Sequence, residues 1–345
     1  MEKLFFRNDY SEGACAAALD AVCAVNMERN IGYGEDDHSA KAKDMIRTLC
    51  NCPEATVEFF IGGTNVNAVA IAALLRPWEG VISPESGHIN GHESGAVESY
   101  GHKILTVKTA ADGKLLPEQI PPIMEYHQDT HLVKPRLVYI SNATERGAVY
   151  TKAELTALHD MCEANDLLLF VDGARLGVAL ASPDNDLTFA DMAARSHAFT
   201  IGGTKNGMLM GEALVIAQPQ PELFRIKKQR GGVLAKGFLL GAQFKALMAD
   251  DAALYLANGK TANDCAQALQ KGLQAMNIPL FNVSPTNQIF PIVPNAWLEP
   301  LREFVEYEIW EPLDDGRTAI RFVCSFASSM DKVELLLGQL AAMKK

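Results

Sequence analysis

Positive charge is scarce in this chain. Its 31 lysines and arginines face 42 aspartates and glutamates, a formal net charge of -11 over 345 residues. A nucleic-acid binder needs a basic surface to meet the phosphate backbone, so no nucleic-acid partner is expected. Acidity of this size mainly supports solubility. Long apolar runs are also missing: none reaches the roughly 18 residues of a membrane-spanning helix. The opening stretch MEKLFFRNDYSEG lacks the layout of a secretory signal, so a cytoplasmic location without a membrane partner is expected. The seven cysteines are an odd number scattered along the chain, which fits reduced thiols. Cys50 and Cys52 form a C-x-C pair with no second pair beside it, so no structural zinc is expected. The chain also has neither a G-x-G-x-x-G turn nor a G-x-x-x-x-G-K-[ST] loop, which argues against a nicotinamide dehydrogenase. No internal repeat or low-complexity tract is visible.

What the chain does have is a regular alternation. Short apolar runs at 57–60, 80–83, 103–107, 136–141, 167–172, 198–202 and 213–217 are separated by longer helical patterns. The runs are apolar throughout rather than alternating, as in strands covered on both faces. Strands alternating with helices predict an α/β fold with a mostly parallel, seven-stranded sheet. After residue 217 come a basic stretch, two helices over 238–260 and 261–276, strand-like segments at 279–283, 287–293, 307–312 and 318–326, and a last helix over 329–345. These form a second, smaller α+β unit. The expected division is an N-terminal arm and helix over 1–30, a large domain over 31–245 and a small domain over 246–345. Ser11 is the expected N-cap of the first helix.

Three short stretches have the residue types that chemistry needs. Gly62-Gly63-Thr64 ends a strand and opens a helix. Such a turn aims free backbone N–H groups at an anion, with Thr64 able to cap the helix or meet a phosphate; an ordinary tight turn has the same composition. Asp172 ends an apolar strand and is followed by Arg175. Ligands of open α/β sheets bind beyond such strand ends, although an Asp–Arg pair can equally cap a helix. Lys205 lies in GGTKNG, just past another strand. A buried lysine there is a Schiff-base nucleophile; a solvated turn lysine is the plain alternative. His88 and His92 form an H-x-x-x-H pair with Glu93 beside them, but no third ligand has a matching context, so no metal is expected. His38 is expected at a solvated helix start.

Taken in order, the glycine turn, the strand-end aspartate and the later lysine resemble fold-type I enzymes that use pyridoxal 5′-phosphate (PLP). Within that group the chain is most similar to the threonine aldolase and β-eliminating lyase family. The likeness rests on Arg7-Asn8-Asp9-Tyr10, Tyr33 to Asp37, Gly62-Gly63-Thr64, His88 in SPESGHINGHESGAVE, the D-G-A-R-L run from Asp172 to Leu176, Lys205, and Arg321 in TAIRFVCSF. It implies a PLP-dependent transferase-like fold and cleavage of a β-hydroxy-α-amino acid to glycine and an aldehyde. β-Elimination or transamination on the same fold is the alternative.

The resemblance also implies residue roles. Gly63, Thr64 and Asn65 would hold the phosphate, Asp172 the pyridine nitrogen, with Arg175 beside it, and Lys205 the Schiff base. His88 would stack on the ring and is the expected base for the β-hydroxyl. Asn8, Thr144 and Arg321 would meet the substrate, with Arg317 a competitor for Arg321's role. Two departures stand out. Thr144 occupies the place of a family histidine, and the family's phosphate-reaching arginine has no single counterpart among Arg230, Lys236 and the Gly231-Gly232 backbone. The family further implies a homo-oligomer, a dimer or tetramer, in which Tyr33 and Arg230 or Lys236 serve a neighbouring subunit.

Overall fold

The seven apolar runs become strands within two residues of their expected ends: β1 (Thr56–Phe60), β2 (Glu79–Pro84), β3 (Ile104–Val107), β4 (Lys134–Ser141), β5 (Leu168–Asp172), β6 (Ala198–Gly202) and β7 (Glu212–Ile216). The computed structural model describes residues 3–313 and 315–344. The strands form one sheet in the order β1-β7-β6-β5-β4-β2-β3. β7 is antiparallel to both its neighbours and all other pairs are parallel. β1 to β6 therefore run in one direction, and the segments leaving their C-terminal ends gather along one edge.

Burial explains the continuous apolar runs: every residue of β2, β6 and β7 is buried. Crossover helices cover both faces, with Ile82, Val138, Leu169 and Val215 in one apolar layer and Val81, Leu137, Phe170 and Leu214 in the other. This is the two-sided burial that parallel sheets require. At the functional edge β5 and β6 leave the sheet in very close approach. A Cβ on Gly173 would overlap the carbonyl oxygen of Thr200, and one on Gly202 would overlap that of Ala174. Only glycine lets Asp172 and Lys205 emerge this close together.

The second unit is smaller. Arg317–Val323 is the hub of an antiparallel sheet, paired with Ile292–Pro294, Glu308–Pro312 and Gln288–Ile289. The helices Ala249–Ala275 and Met330–Met343 pack on it through Leu269, Leu273, Val333 and Leu336. The start of the chain also belongs here: Leu4–Phe5 pairs in parallel with Val305–Glu306, and Val323 N–H donates to the Phe6 carbonyl at 2.8 Å.

Several local expectations are corrected. Ser11 is not an N-cap; its hydroxyl donates to Asn8 Oδ1 (2.7 Å), and the helix starts later, at Ala16. Thr64 does not cap either: the helix Gly63–Leu74 begins behind Gly62 with no side-chain cap. The break between the two long helices falls near residue 248, not 260. Asp250, Asp251 and Ala252 have φ of 50°, 56° and 60°, whereas Gly259 lies within the helix, with the Gly177 backbone packed where its Cβ would be. The apolar stretch 279–283 yields only an isolated bridge, Leu280 to Pro291, and 287–293 divides into two short strands.

Candidate active site

Two adjoining cavities open at the sheet edge. The inner one is lined by Gly63, His88, Ser141, Ala143, Glu145, Asp172, Ala174, Arg175 and Lys205. The outer one runs on toward the second unit, past Tyr10, His92, Glu308, Trp310 and Arg321. Its volume of about 560 Å³ lies in the range of small-ligand sites. Among the described residues only His88, Glu145, Arg175 and Lys205 line both.

Asp172 closes the inner end. It is 5% exposed and accepts from Tyr139 Oη (2.7 Å), Asn67 Nδ2 (2.8 Å) and the Ala174 N–H (2.8 Å). Burial alone would raise its pKa, but these hydrogen bonds and the His88 ring outweigh it and hold the carboxyl below its ordinary value. Asn67 also donates to Glu93 Oε1 (2.9 Å), which meets His88 Nδ1 at 2.8 Å. His88 and Asp172 thus share one buried polar chain. The residue types around Tyr139 and Asn67 carry no sign of this role, whereas Glu93 has one, its spacing from His88.

Lys205 sits in a tight turn. Gly203 and Thr204 N–H groups both donate to the Gly211 carbonyl, Asn206 is tied to Tyr255 and Asn258, and Gly207 takes φ 102°. Its Nζ lies 5.9 Å from the Tyr10 ring centroid. Burial, and next the Arg175 charge, push its pKa down. Beside it burial pushes Glu212 up to about 8. A lysine in such a place can supply a neutral, nucleophilic amine.

Arg175 does not pair with Asp172. Its guanidinium grips Asp9 bidentately, at 2.7 and 3.0 Å, and Asn287 supports the same carboxylate at 2.9 Å. Burial works against the Asp9 carboxylate, yet the Arg175 and Lys205 charges hold its pKa below the ordinary value. Arg321 reaches the outer cavity, with Nη1 donating to Gln288 (3.1 Å) and its Cζ 5.3 Å from the Trp310 ring centroid. Its Nε is buried without a partner, a donor waiting for an acceptor. Arg317 is committed to Asp315 instead, so of the two arginines only Arg321 faces the site.

Other expected contacts are not made. Thr144 is 1% exposed; its hydroxyl donates to the Asp112 carbonyl (2.7 Å) and accepts from Ala148 N–H (3.1 Å), so it serves the turn and lines neither cavity. Asn8 Oδ1 accepts from Tyr10 N–H and Ser11 Oγ, an Asx turn that shapes the arm rather than the pocket. Tyr33, Arg230 and Lys236 also lie outside both cavities. Tyr33 is half exposed under Lys228 Nζ (4.3 Å), Arg230 stacks on Tyr100 (4.1 Å) and Lys236 is exposed. His38 does start a helix and meets Glu28 at 2.6 Å.

A third histidine group lies elsewhere: His159, Glu163 and His197 converge. There Leu169 N–H donates to His197 Nδ1 (2.9 Å), which puts the ring proton on Nε2, toward Glu163 (2.8 Å). The nitrogen a metal would need is protonated.

The donor set fits PLP. One cavity is lined by the uncapped helix start at Gly63, whose free N–H groups suit a phosphate, by the buried carboxylate of Asp172 and by the amine of Lys205. The β-eliminating lyase family model matches residues 6–296. The chain belongs to this family. It is 33% identical to the low specificity L-threonine aldolase of Pseudomonas aeruginosa, over 96% of this chain and 95% of the relative. The structure of Leishmania major threonine aldolase superposes with a TM-score of 0.96 at 42% identity, covering 99% of this chain and all of that one. A Sphingomonas wittichii serine palmitoyltransferase shares the fold alone, with a TM-score of 0.74 at 14% identity, over 99% of this chain and 87% of that one.

Proposed function

We propose that this protein is a PLP-dependent threonine aldolase that cleaves threonine, or a related β-hydroxy-α-amino acid, to glycine and an aldehyde. The observation that carries the reading is the convergence of Lys205, Asp172 and Arg321 on one pair of cavities, in a chain whose relatives bear that name. Those relatives favour aldol cleavage over β-elimination or transamination. When bound, the cofactor acts as a sink for the electron pair released at the substrate α-carbon.

The chain's own residues do the rest. Gly63, Thr64 and Asn65 would hold the phosphate at the helix start. Asp172, kept ionised, would hold a proton on the pyridine nitrogen. Lys205 would provide the amine for covalent attachment and His88 would stack on the ring. Arg321 would take the substrate carboxylate, with the Asp9-anchored Arg175 beside it.

A second copy of the chain completes the site. Tyr33 and the 228–237 segment form one patch, joined by Tyr33 N–H to the Ala235 carbonyl (3.0 Å). From there Arg230 or Lys236 serves a neighbour. The boundaries 1–30, 31–245 and 246–345, and a cytoplasmic location suited to seven free thiols, belong to the same reading.

The test is to supply PLP with threonine or allo-threonine and assay glycine and acetaldehyde. Keto acid and ammonia in their place would refute it. Arg321→Lys keeps the charge but loses the fork, so KM for threonine is expected to rise roughly tenfold or more, about 1.4 kcal/mol, with a smaller change in kcat. Steady-state kinetics check this.

A further inference from the structure

We propose that Glu145 is the catalytic base that takes the proton from the substrate β-hydroxyl, with the Ser141 hydroxyl and the His88 backbone N–H holding it in place. The proposal rests on the aldolase reading above. Four side chains border both cavities: His88, Glu145, Arg175 and Lys205. An amino acid with its carboxylate at Arg321 and its amine at Lys205 must place its β-carbon between the cavities, among these four. Arg175 is bound to Asp9, Lys205 is the attachment point and His88 Nδ1 is held by Glu93. Glu145 is the carboxylate of the group with no assigned task.

Its geometry suits a base. Ser141 Oγ donates to Glu145 Oε1 at 2.6 Å and His88 N–H donates to the same oxygen at 2.9 Å. Both hydrogen bonds from other residues fall on Oε1, which fixes the carboxylate plane. Among the described residues no other side chain or backbone group is seen to bond Oε2, and Glu145 lines both cavities, which leaves this oxygen for the substrate. Burial foremost, and the nearby Asp172 charge, raise the Glu145 pKa despite the Ser141 hydrogen bond. The other charged or titratable groups around it are Tyr139, Tyr150, His88, Arg146, Arg175, Lys205 and Arg321. A raised pKa brings a carboxylate nearer the operating pH, where general bases are most effective. Nothing in the residue types around SNATERGAV distinguishes Glu145 from a surface turn acid; the fold turns it inward.

The step balances. The β-hydroxyl proton moves to Glu145 Oε2 and the O–H electron pair forms the aldehyde C=O bond. The Cα–Cβ bond breaks with its pair left on Cα, drawn toward the cofactor ring. A proton then reaches Cα through Lys205, Glu145 gives the hydroxyl proton up to water, and glycine forms with no net proton change.

The test is Glu145→Gln as loaded enzyme. Threonine cleavage is expected to fall roughly 10²–10⁴-fold, and the acid limb of the kcat profile, where wild type loses activity as pH falls through the Glu145 pKa, is expected to vanish. Exchange of glycine α-protons in D₂O needs Lys205 and PLP but no hydroxyl proton, so it stays within about threefold of wild type. Added formate restores cleavage in Glu145→Ala, which guards against a variant that merely folds badly. In the cofactor-free protein, a ¹³Cδ glutamate resonance absent from Glu145→Gln titrates above the ordinary carboxyl range. Cleavage near the wild-type rate with its acid limb intact, equal loss of cleavage and exchange without formate rescue, or an ordinary titration would each overturn the proposal. A wild-type enzyme that exchanges glycine but never cleaves threonine would refute the aldolase reading itself, and this assignment with it.

Discussion

Lys205→Ala is expected to lower threonine cleavage roughly 10⁴-fold or more, about 5.5 kcal/mol of transition-state stabilisation, and to abolish the visible absorption of covalently held PLP. The magnitude follows from two tasks in one group: attachment of the cofactor and proton movement at the α-carbon. No nearby residue can take over. The other lysine named for the site, Lys236, is exposed and outside both cavities. The variant should nevertheless be at least as stable as the wild-type protein when both are cofactor-free, because it removes a desolvated amine beside the Arg175 charge. Spectra, single-turnover kinetics and thermal melts test the three parts. A Lys205→Ala protein that keeps both its absorption band and its activity would end the assignment.

Asp172→Asn is expected to cost roughly 10²–10³-fold in kcat while leaving PLP attached through Lys205. The substitution keeps the side-chain size and removes the charge that holds the pyridine proton. Tyr139 and Asn67 both donate to one oxygen, which the asparagine carbonyl can replace, but its NH₂ then faces the Ala174 N–H, a donor in the native arrangement. The visible band should shift as the ring nitrogen loses its proton. Tyr139→Phe removes a single donor, about 1 kcal/mol or fivefold. An Asp172→Asn enzyme within a few-fold of wild-type kcat, with an unshifted band, would mean that the carboxylate does not set the protonation of the ring.

The strands and the strand-end chemistry were legible in the sequence because they are local signals. Continuous apolar runs mark strands buried on both faces, and Gly63, Asp172 and Lys205 follow such runs directly. Parallel order then places them on one edge. What could not be read depends on distant partners. Arg175 finds Asp9 across 166 positions, so neither residue's partner shows in its own segment. Tyr139 lies inside an apolar run and looks like core until Asp172 arrives beside it. Thr144 holds the expected motif position, yet its hydroxyl serves the turn while Glu145, next to it, enters the cavity. Ser11 had the residue type of an N-cap, but Asn8 captured its hydroxyl.

The arm has a consequence for synthesis. Leu4, Phe6 and Asp9 are made long before their partners Val305, Val323 and Asn287. The Asn287–Asp9 bond alone spans 278 positions. The apolar stretch LFF must stay unpaired while some three hundred further residues are made, a hazard for late, non-local contacts. Arg175 likewise lacks its anchor's full support until Asn287 emerges. The nascent sheet can assemble early, but the pocket matures only when residues 4–9 meet residues 287–323.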